Sequence, residues 1–201
     1  MEKFLFYWVA WLSWVWATWI MDKGKRRTQI AVISLLGIVS ASHSISMFGY
    51  TINLAILFFL CLSIYFLFEK NILTQLYLYV SSMIVALGYV AIYLFSIYDP
   101  ISLLIPFKFV APIYLIFIVT FFAKQILYKL VLVFLSVSLG EIVIGIILNQ
   151  LGLYNGIGMI DYLTNLTLSF ISILILTLSK ALIQSFERFV TRLKEEKRNV
   201  V

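Results

Sequence analysis

Long stretches without a single charged residue exclude a soluble fold for this chain. One runs from Ile72 to Tyr98 and another from Leu54 to Phe68. The hydrocarbon core of a bilayer is about 30 Å thick, and a helix needs about 20 apolar residues to cross it. Of the whole chain, 63% is hydrophobic and 12% is charged, whereas about 25% of the residues in soluble domains are charged. The chain is therefore expected to be a multi-pass membrane protein.

Seven apolar runs divide the sequence into candidate membrane spans. The fifth run is the least regular, because it contains Pro106, Lys108 and Pro112. Prolines inside a transmembrane helix free backbone groups that neighbouring helices must satisfy. The seven runs are approximately residues 4–21, 29–47, 50–68, 72–98, 101–123, 126–148 and 160–182.

Two basic clusters set the orientation of these spans. One consists of Lys23, Lys25, Arg26 and Arg27 after the first run, and the other follows the seventh run. The positive-inside rule places both in the cytoplasm, which requires an even number of spans between them and therefore includes the fifth run. Seven spans place 13 of the 15 basic residues inside. The predicted fold is an all-α, seven-span transmembrane helical bundle of the plasma membrane, with the N-terminus outside and the C-terminus cytoplasmic.

The C-terminal tail is predicted to be a second unit, residues 183–201, after the membrane domain of residues 1–182. Apolar residues recur in the tail at helical spacing, and charged residues including Arg188, Arg192 and Lys194 occupy the rest of the turn. Such a basic amphipathic helix is typical of a segment that lies on anionic cytoplasmic headgroups. The alternative is a docking helix for a membrane or cytoplasmic protein partner. Because the positive charge clusters at the ends of apolar runs, nucleic acid is not expected as a partner.

Five tryptophans lie within the stretch Phe6–Trp19. On a helical wheel, Ala10, Ser13 and Ala17 form a seam of small residues, while the tryptophans form a broad aromatic back. Small residues let transmembrane helices approach closely, so the seam is expected to face the bundle. The aromatic back is interpreted as a membrane anchor, and Trp14 is kept as a candidate for the wall of a hydrophobic or cationic ligand site.

Ionisable groups are costly inside membrane spans and commonly functional, and three such residues within the runs are candidates here: Lys108, Glu141 and His43. From the helical rise, Lys108 and Glu141 each lie about 10 Å below the outer boundary of adjacent spans, so an ion pair between them is predicted. His43 lies nearer the outer end of the second run. These three residues are candidates for a ligand-binding pocket, with prolines breaking the helix beside Lys108. The alternative is a structural ion pair and an interfacial histidine.

Signatures of catalysis and of metal or cofactor binding are weak in this chain. One histidine cannot supply a histidine metal cluster, and Cys61 and His43 lie in different runs at different predicted depths. A single transmembrane cysteine usually packs as a small apolar residue. No catalytic residue, cofactor or metal site is therefore predicted, and an intramembrane lipid enzyme is kept only as a third hypothesis.

The opening stretch FYWVAWLSWVWATWIMDK, the basic loop after it and LGEIVIG in the penultimate run resemble the YphA-like membrane proteins of spore-forming Gram-positive bacteria. The likeness in layout covers most of the chain, but its two local markers are not functional motifs. The resemblance implies a multi-pass protein of a bacterial plasma membrane. It carries over no substrate, cofactor or catalytic residue.

Two functions remain open at this stage. The first is a non-catalytic interaction, sensor or assembly protein that works through the tail and the basic loop, and it is favoured because the spans contain few polar groups. The alternative is a protein that binds or transports a small solute or a lipophilic ligand near Lys108 and Glu141. A solute site would need a water-accessible cavity at Glu141, whereas a lipophilic ligand could use the abundant aromatic side chains.

Overall fold

The structure is a computed structural model that describes residues 2–47, 49–68, 70–99, 106–158 and 161–199, without the side chains of residues 2, 3, 181 and 189–199. The described chain contains seven α-helices and three short strands. The helices are α1 Glu2–Val15, α2 Lys25–Ser42, α3 Leu54–Phe68, α4 Ile72–Tyr98, α5 Phe107–Phe122, α6 Ile126–Gln150 and α7 Tyr162–Asn199. The strands are β1 Ser44–Met47, β2 Tyr50–Asn53 and β3 Gly156–Ile157, and a π-helical turn at Trp16–Ile20 continues α1.

The apolar runs do form helices, as their hydrophobicity predicts. Helices α4 and α6 and the segment Tyr162–Arg188 of α7 are long and apolar enough to cross a membrane. Shorter apolar helices cover Phe4–Ile20, Leu54–Phe68 and Phe107–Phe122. Several hydroxyl groups within the helices are satisfied locally; for example, Ser169 Oγ donates to the Asn165 carbonyl at 2.7 Å. Such back-bonding lets a polar side chain sit in an apolar helix without an unsatisfied donor.

A small sheet corrects the all-α prediction. The second and third runs were expected to be helical up to residue 47 and from residue 50, but β1 and β2 form an antiparallel hairpin there, with Ser44 opposite Asn53. Strand β3 pairs in parallel with β2. The physical reason is local: polar and apolar residues alternate along Ser44–Met47, which is the period of a strand, and Gly49 turns the chain at a φ of 83°, a conformation that glycine adopts without strain.

The bundle has two ends of different character. The sheet lies where α2 gives way to α3 and α6 to α7, and we call this the sheet end. The opposite end holds the α1–α2, α3–α4 and α5–α6 connections, and there the Tyr77 hydroxyl of α4 donates to the Phe122 carbonyl of α5 at 2.9 Å. We call it the basic end, because its described residues include Lys23, Lys25, Arg26, Arg27, Lys70, Lys124, Lys129 and Lys180.

Helix α6 lies at the centre of the bundle and packs against α4, α3 and α7. Close approach to α4 depends on Gly140, because a Cβ atom there would lie 2.7 Å from Cδ1 of Tyr89. Five helices also form a closed ring in which α1 packs on α2, α2 on α3, α3 on α6, α6 on α7 and α7 on α1. This ring and the α4–α6–α7 junction contain the two candidate sites.

The C-terminal tail continues α7 without a break to Asn199. The predicted boundary at residues 182 and 183 therefore falls inside one helix. Leu182, Ile183 and Phe186 are exposed at its start. The side chains of Arg192 and Lys194 lie outside the described residues, so the amphipathic face of the tail stays a prediction.

Candidate functional site

A buried hydrogen-bond network joins α4, α6 and α7 around Glu141. The Tyr89 hydroxyl donates to Oε1 of Glu141 at 2.6 Å. The same hydroxyl accepts a hydrogen bond from Nδ2 of Asn165 at 3.1 Å. Tyr89 and Asn165 are completely buried, and Glu141 is 8% exposed. The three side chains therefore form a chain of hydrogen bonds in a setting where each unmade bond would be costly.

A second buried contact lies beside this network. The hydroxyls of Ser138 and Tyr162 are 3.0 Å apart, which links α6 to the first turn of α7. Within the described chain, the Oδ1 atom of Asn165 is buried without a hydrogen-bond partner. The arrangement fixes the relative positions of three helices, and it presents a carboxyl group held by a neutral donor rather than by a cation.

The predicted Lys108–Glu141 ion pair is wrong. Within the described chain, Glu141 bonds to Tyr89, while Nζ of Lys108 forms no ion pair and lies 5.5 Å from the ring centroid of Phe109. Lys108 is the second residue of α5. In addition, α6 packs more extensively against α4 than against α5, its neighbour in sequence. Helix α5 is continuous through Pro112, so no broken helix forms a site there.

The other two candidate residues lie apart from Glu141. His43 is exposed at the C-terminal end of α2, where Nδ1 lies 2.8 Å from Oγ of Ser42. Trp14 is half-buried and packs edge-on against Trp11, with ring centroids 5.4 Å apart. The described contacts bring no two of Glu141, Lys108, His43 and Trp14 together.

The basic cluster at the start of α2 contains one residue that differs from the rest. Lys23, Lys25 and Arg26 are exposed, whereas Arg27 is half-buried. Nη2 of Arg27 donates to the Thr18 carbonyl at 2.8 Å. Thr18 lies in the π-helical turn that ends at Ile20. The last carbonyl groups of a helix have no hydrogen-bond partner within the helix. In the tail, Arg188 is exposed.

An apolar cavity of about 380 Å³ lies inside the five-helix ring. It extends along α6 from Leu127, next to the basic end, to Phe134 near the middle of the helix. Its volume falls within the range of about 300–1,000 Å³ that is usual for small-molecule sites. The lining side chains come from all five helices: Phe6, Val9, Ala10, Ser13, Trp16, Ile30, Ile33, Ser34, Gly37, Phe59, Leu62, Phe66, Leu127, Leu130, Val131, Phe134, Leu166, Thr167, Phe170 and Leu174.

The cavity offers a ligand very little polarity. None of its described lining side chains is ionisable. The hydroxyl of Ser13 donates to the Val9 carbonyl at 2.8 Å, and that of Thr167 donates to the Leu163 carbonyl at 2.5 Å. These two hydroxyls are thus engaged within their own helices, and the remaining polar groups of the described lining are the Ser34 hydroxyl and the Trp16 indole N–H. Such a lining favours an apolar chain and gives a polar solute few partners.

An aromatic layer separates the cavity from the Glu141 network. Phe134 packs against Phe59, with ring centroids 5.1 Å apart, and stacks on Phe170 at 6.3 Å. Glu141 lies seven residues beyond Phe134 on α6, which corresponds to about 10 Å along the helix. Glu141 is not among the residues that line the cavity. The requirement of the solute hypothesis, a cavity that reaches Glu141, is therefore not met by this cavity.

Sequence reasoning missed Tyr89, Asn165 and the cavity itself. An asparagine inside an apolar run is a recognisable signal, because polar side chains in membranes commonly bond across helices. Tyr89 carries no such signal, since it is one of 12 tyrosines in the chain. The cavity-facing side of α1 does coincide with the seam of small residues, because Ala10 and Ser13 line the cavity.

Comparison with known proteins agrees with the sequence resemblance. The family model described as YphA-like integral membrane protein matches residues 2–199. The chain is also 31% identical over 152 residues to the uncharacterised protein YphA of Bacillus subtilis (strain 168), which covers 75% of each chain. No solved structure matches the chain.

Proposed function

The chain belongs to the YphA-like integral membrane protein family, and we propose that it is a non-catalytic membrane protein that binds one lipophilic ligand in the five-helix cavity. The observation that carries this proposal is the cavity of about 380 Å³, whose described lining contains no ionisable side chain. A ligand with an apolar chain gains free energy from leaving its aqueous or interfacial surroundings without requiring buried polar partners.

We further propose that the protein crosses the plasma membrane seven times. The basic end would then face the cytoplasm, as the positive-inside rule requires. The hairpin of β1 and β2 would lie at the outer boundary. Its strands would extend the reach of α3, whose 15 residues span only about 22 Å as a helix.

Helix α7 supports a sensor role over simple storage of a ligand. It contributes Leu166, Thr167, Phe170 and Leu174 to the cavity and continues as the tail to Asn199. At 38 residues it is about 57 Å long, nearly twice the thickness of a bilayer core. A shift of α7 upon ligand binding would therefore be carried to the cytoplasmic tail, where anionic headgroups or a protein partner would sense it. Removal of residues 184–201 tests this role, because it should abolish partner capture and leave ligand binding unchanged.

Photocrosslinking tests the cavity directly. The purified full-length protein in detergent is labelled with hexadecanol that carries a diazirine in its chain, and the labelled residues are mapped by mass spectrometry. Saturable labelling of lining residues such as Leu130 and Leu174 is expected. Labelling confined to lipid-facing side chains, without saturation, would refute the proposal.

Two cavity-filling variants sharpen this test. Ala10→Phe adds a ring to the cavity, and Leu174→Phe enlarges a second lining residue on another helix. Each should reduce saturable labelling about tenfold or more, because a filled pocket loses the apolar contacts that supply the affinity. Ala91→Phe makes the same change as Ala10→Phe at an exposed position of α4 and should leave labelling as in the parent protein.

A further inference from the structure

The cavity reaches the basic end of the bundle. Trp16 begins the π-helical turn that ends α1, Leu127 is the second residue of α6, and Phe66 lies two residues before the end of α3. These lining residues therefore place one end of the cavity, which we call its mouth, close to the ends of their helices. A chain that enters here would leave its polar end at the level of the loops.

Arg27 is placed beside this mouth. Its guanidinium donates to the Thr18 carbonyl, and Thr18 lies two residues after Trp16, a residue of the mouth. On α2, Arg27 precedes the lining residue Ile30 by three positions, a spacing that puts two side chains on neighbouring parts of one helix surface. Arg27 is also the half-buried member of a cluster whose other members are exposed.

The guanidinium of Arg27 has more hydrogen-bond donors than the described contacts use. It carries five N–H groups, and the described structure assigns one of its hydrogen bonds, to Thr18. Within the described chain Arg27 forms no ion pair with an acidic side chain. Guanidinium groups bind phosphate oxygens through paired, charge-assisted hydrogen bonds.

We propose that the ligand of the cavity is an anionic phospholipid of the leaflet at the basic end, with one acyl chain inside the five-helix ring and its phosphate held by Arg27. This inference rests on the proposed function and adds the headgroup chemistry to it. Charge complementarity selects an anionic lipid over a zwitterionic one, because a zwitterionic headgroup brings a cation to the same basic surface. Arg27 thereby acts as the specificity-determining residue of the site.

Native mass spectrometry of the full-length protein, titrated with single lipids in detergent, tests this assignment. Dioleoyl phosphatidylglycerol should bind about tenfold more tightly than dioleoyl phosphatidylcholine. Both lipids carry the phosphate that Arg27 would hold, but phosphatidylcholine also brings its choline cation close to the guanidinium, and repulsion between two such charges can account for a factor of about ten. Arg27→Gln should bring the two affinities to within about threefold of each other. Arg26→Gln removes the same charge from an exposed neighbour and should keep the preference.

The outcomes separate the two proposals. If Ala10→Phe leaves the binding of both lipids unchanged, the cavity does not hold the chain and the proposed function fails. If Ala10→Phe weakens both lipids but the parent protein does not prefer phosphatidylglycerol, or if both arginine variants lose the preference equally, the role of Arg27 is refuted. Glycerol 3-phosphate supplies the headgroup alone; binding as tight as that of the lipid would identify a soluble anion site and overturn the lipid assignment.

Discussion

Replacement of Tyr89 by phenylalanine would remove a single oxygen atom on which two hydrogen bonds depend. The hydroxyl donates to Glu141 at 2.6 Å and accepts from Asn165 at 3.1 Å. The phenyl ring keeps the packing of Tyr89 over Gly140. The substitution therefore isolates the polar contribution from the apolar one.

The expected loss of stability is about 2 kcal/mol. A buried donor or acceptor left without its partner costs about 1–3 kcal/mol. Tyr89→Phe leaves two such atoms without a partner, Oε1 of Glu141 and Nδ2 of Asn165. Against this, single interhelical hydrogen bonds in membranes average only about 0.6 kcal/mol and reach about 1.7 kcal/mol. The larger figure is chosen because two bonds are lost together, one of them to a carboxyl group, at a site without described access to water.

Reversible unfolding in mixed micelles of dodecyl maltoside and sodium dodecyl sulfate would measure this loss as a change in the free energy of unfolding. Tyr93→Phe is the matched control, because Tyr93 is a half-buried tyrosine of the same helix. The control should stay within about 0.5 kcal/mol of the parent protein, as a substitution that breaks no buried bond does. Equal effects of the two substitutions would refute the view that the network stabilises the junction of α4, α6 and α7.

The same unfolding assay checks three further predictions. Gly140→Ala should destabilise the protein by about 1 kcal/mol. Overpacking against Tyr89 at 2.7 Å costs about 1–3 kcal/mol, whereas the higher helix propensity of alanine contributes about 1 kcal/mol of stability. A stabilised variant would contradict this close contact. Asn53→Ala should cost about 1 kcal/mol, because Oδ1 of Asn53 accepts from the Ala55 amide at 2.9 Å at the start of α3; an unchanged midpoint would show that the cap contributes nothing. The free energy of unfolding of Lys108→Met should stay within about 0.5 kcal/mol of that of the parent protein, since Lys108 forms no ion pair among the described residues. A loss above about 2 kcal/mol would instead indicate a buried ion pair.

Polar residues read from the sequence did not identify the hydrogen-bond partners in this network. Glu141 could be selected from the sequence, because an ionisable group in an apolar run is rare and costly. The hydrogen-bond partner of Glu141 could not be selected in this way. Lys108 was chosen as the opposite charge on the adjacent run, yet the bond is made by Tyr89 from a helix two places earlier in the chain. Asn165 was readable as a polar residue in a span but not as a member of this network.

The sequence by itself determined the environment of the chain and the positions of most helices. Hydrophobicity is a local property that adds up along a segment, so an apolar run predicts a membrane helix whatever it later packs against. The expectation for the fourth run, 72–98, coincides with α4, and that for the sixth run, 126–148, ends two residues before α6 does. The distribution of basic residues likewise depends on sequence position alone, and it predicts which loops share the cytoplasmic side.

Only the tertiary structure decided which surfaces meet. The pairing of β3 with β2, the α4–α6 contact and the closure of the five-helix ring by α1 and α7 all join segments far apart in sequence. Such contacts depend on the shapes of facing side chains, as where Gly140 admits the ring of Tyr89. A cavity is still less predictable, because it is space that five helices leave unfilled when they pack. Apolar residues around it look like core residues in the sequence, since lining a cavity and filling a core require the same chemistry.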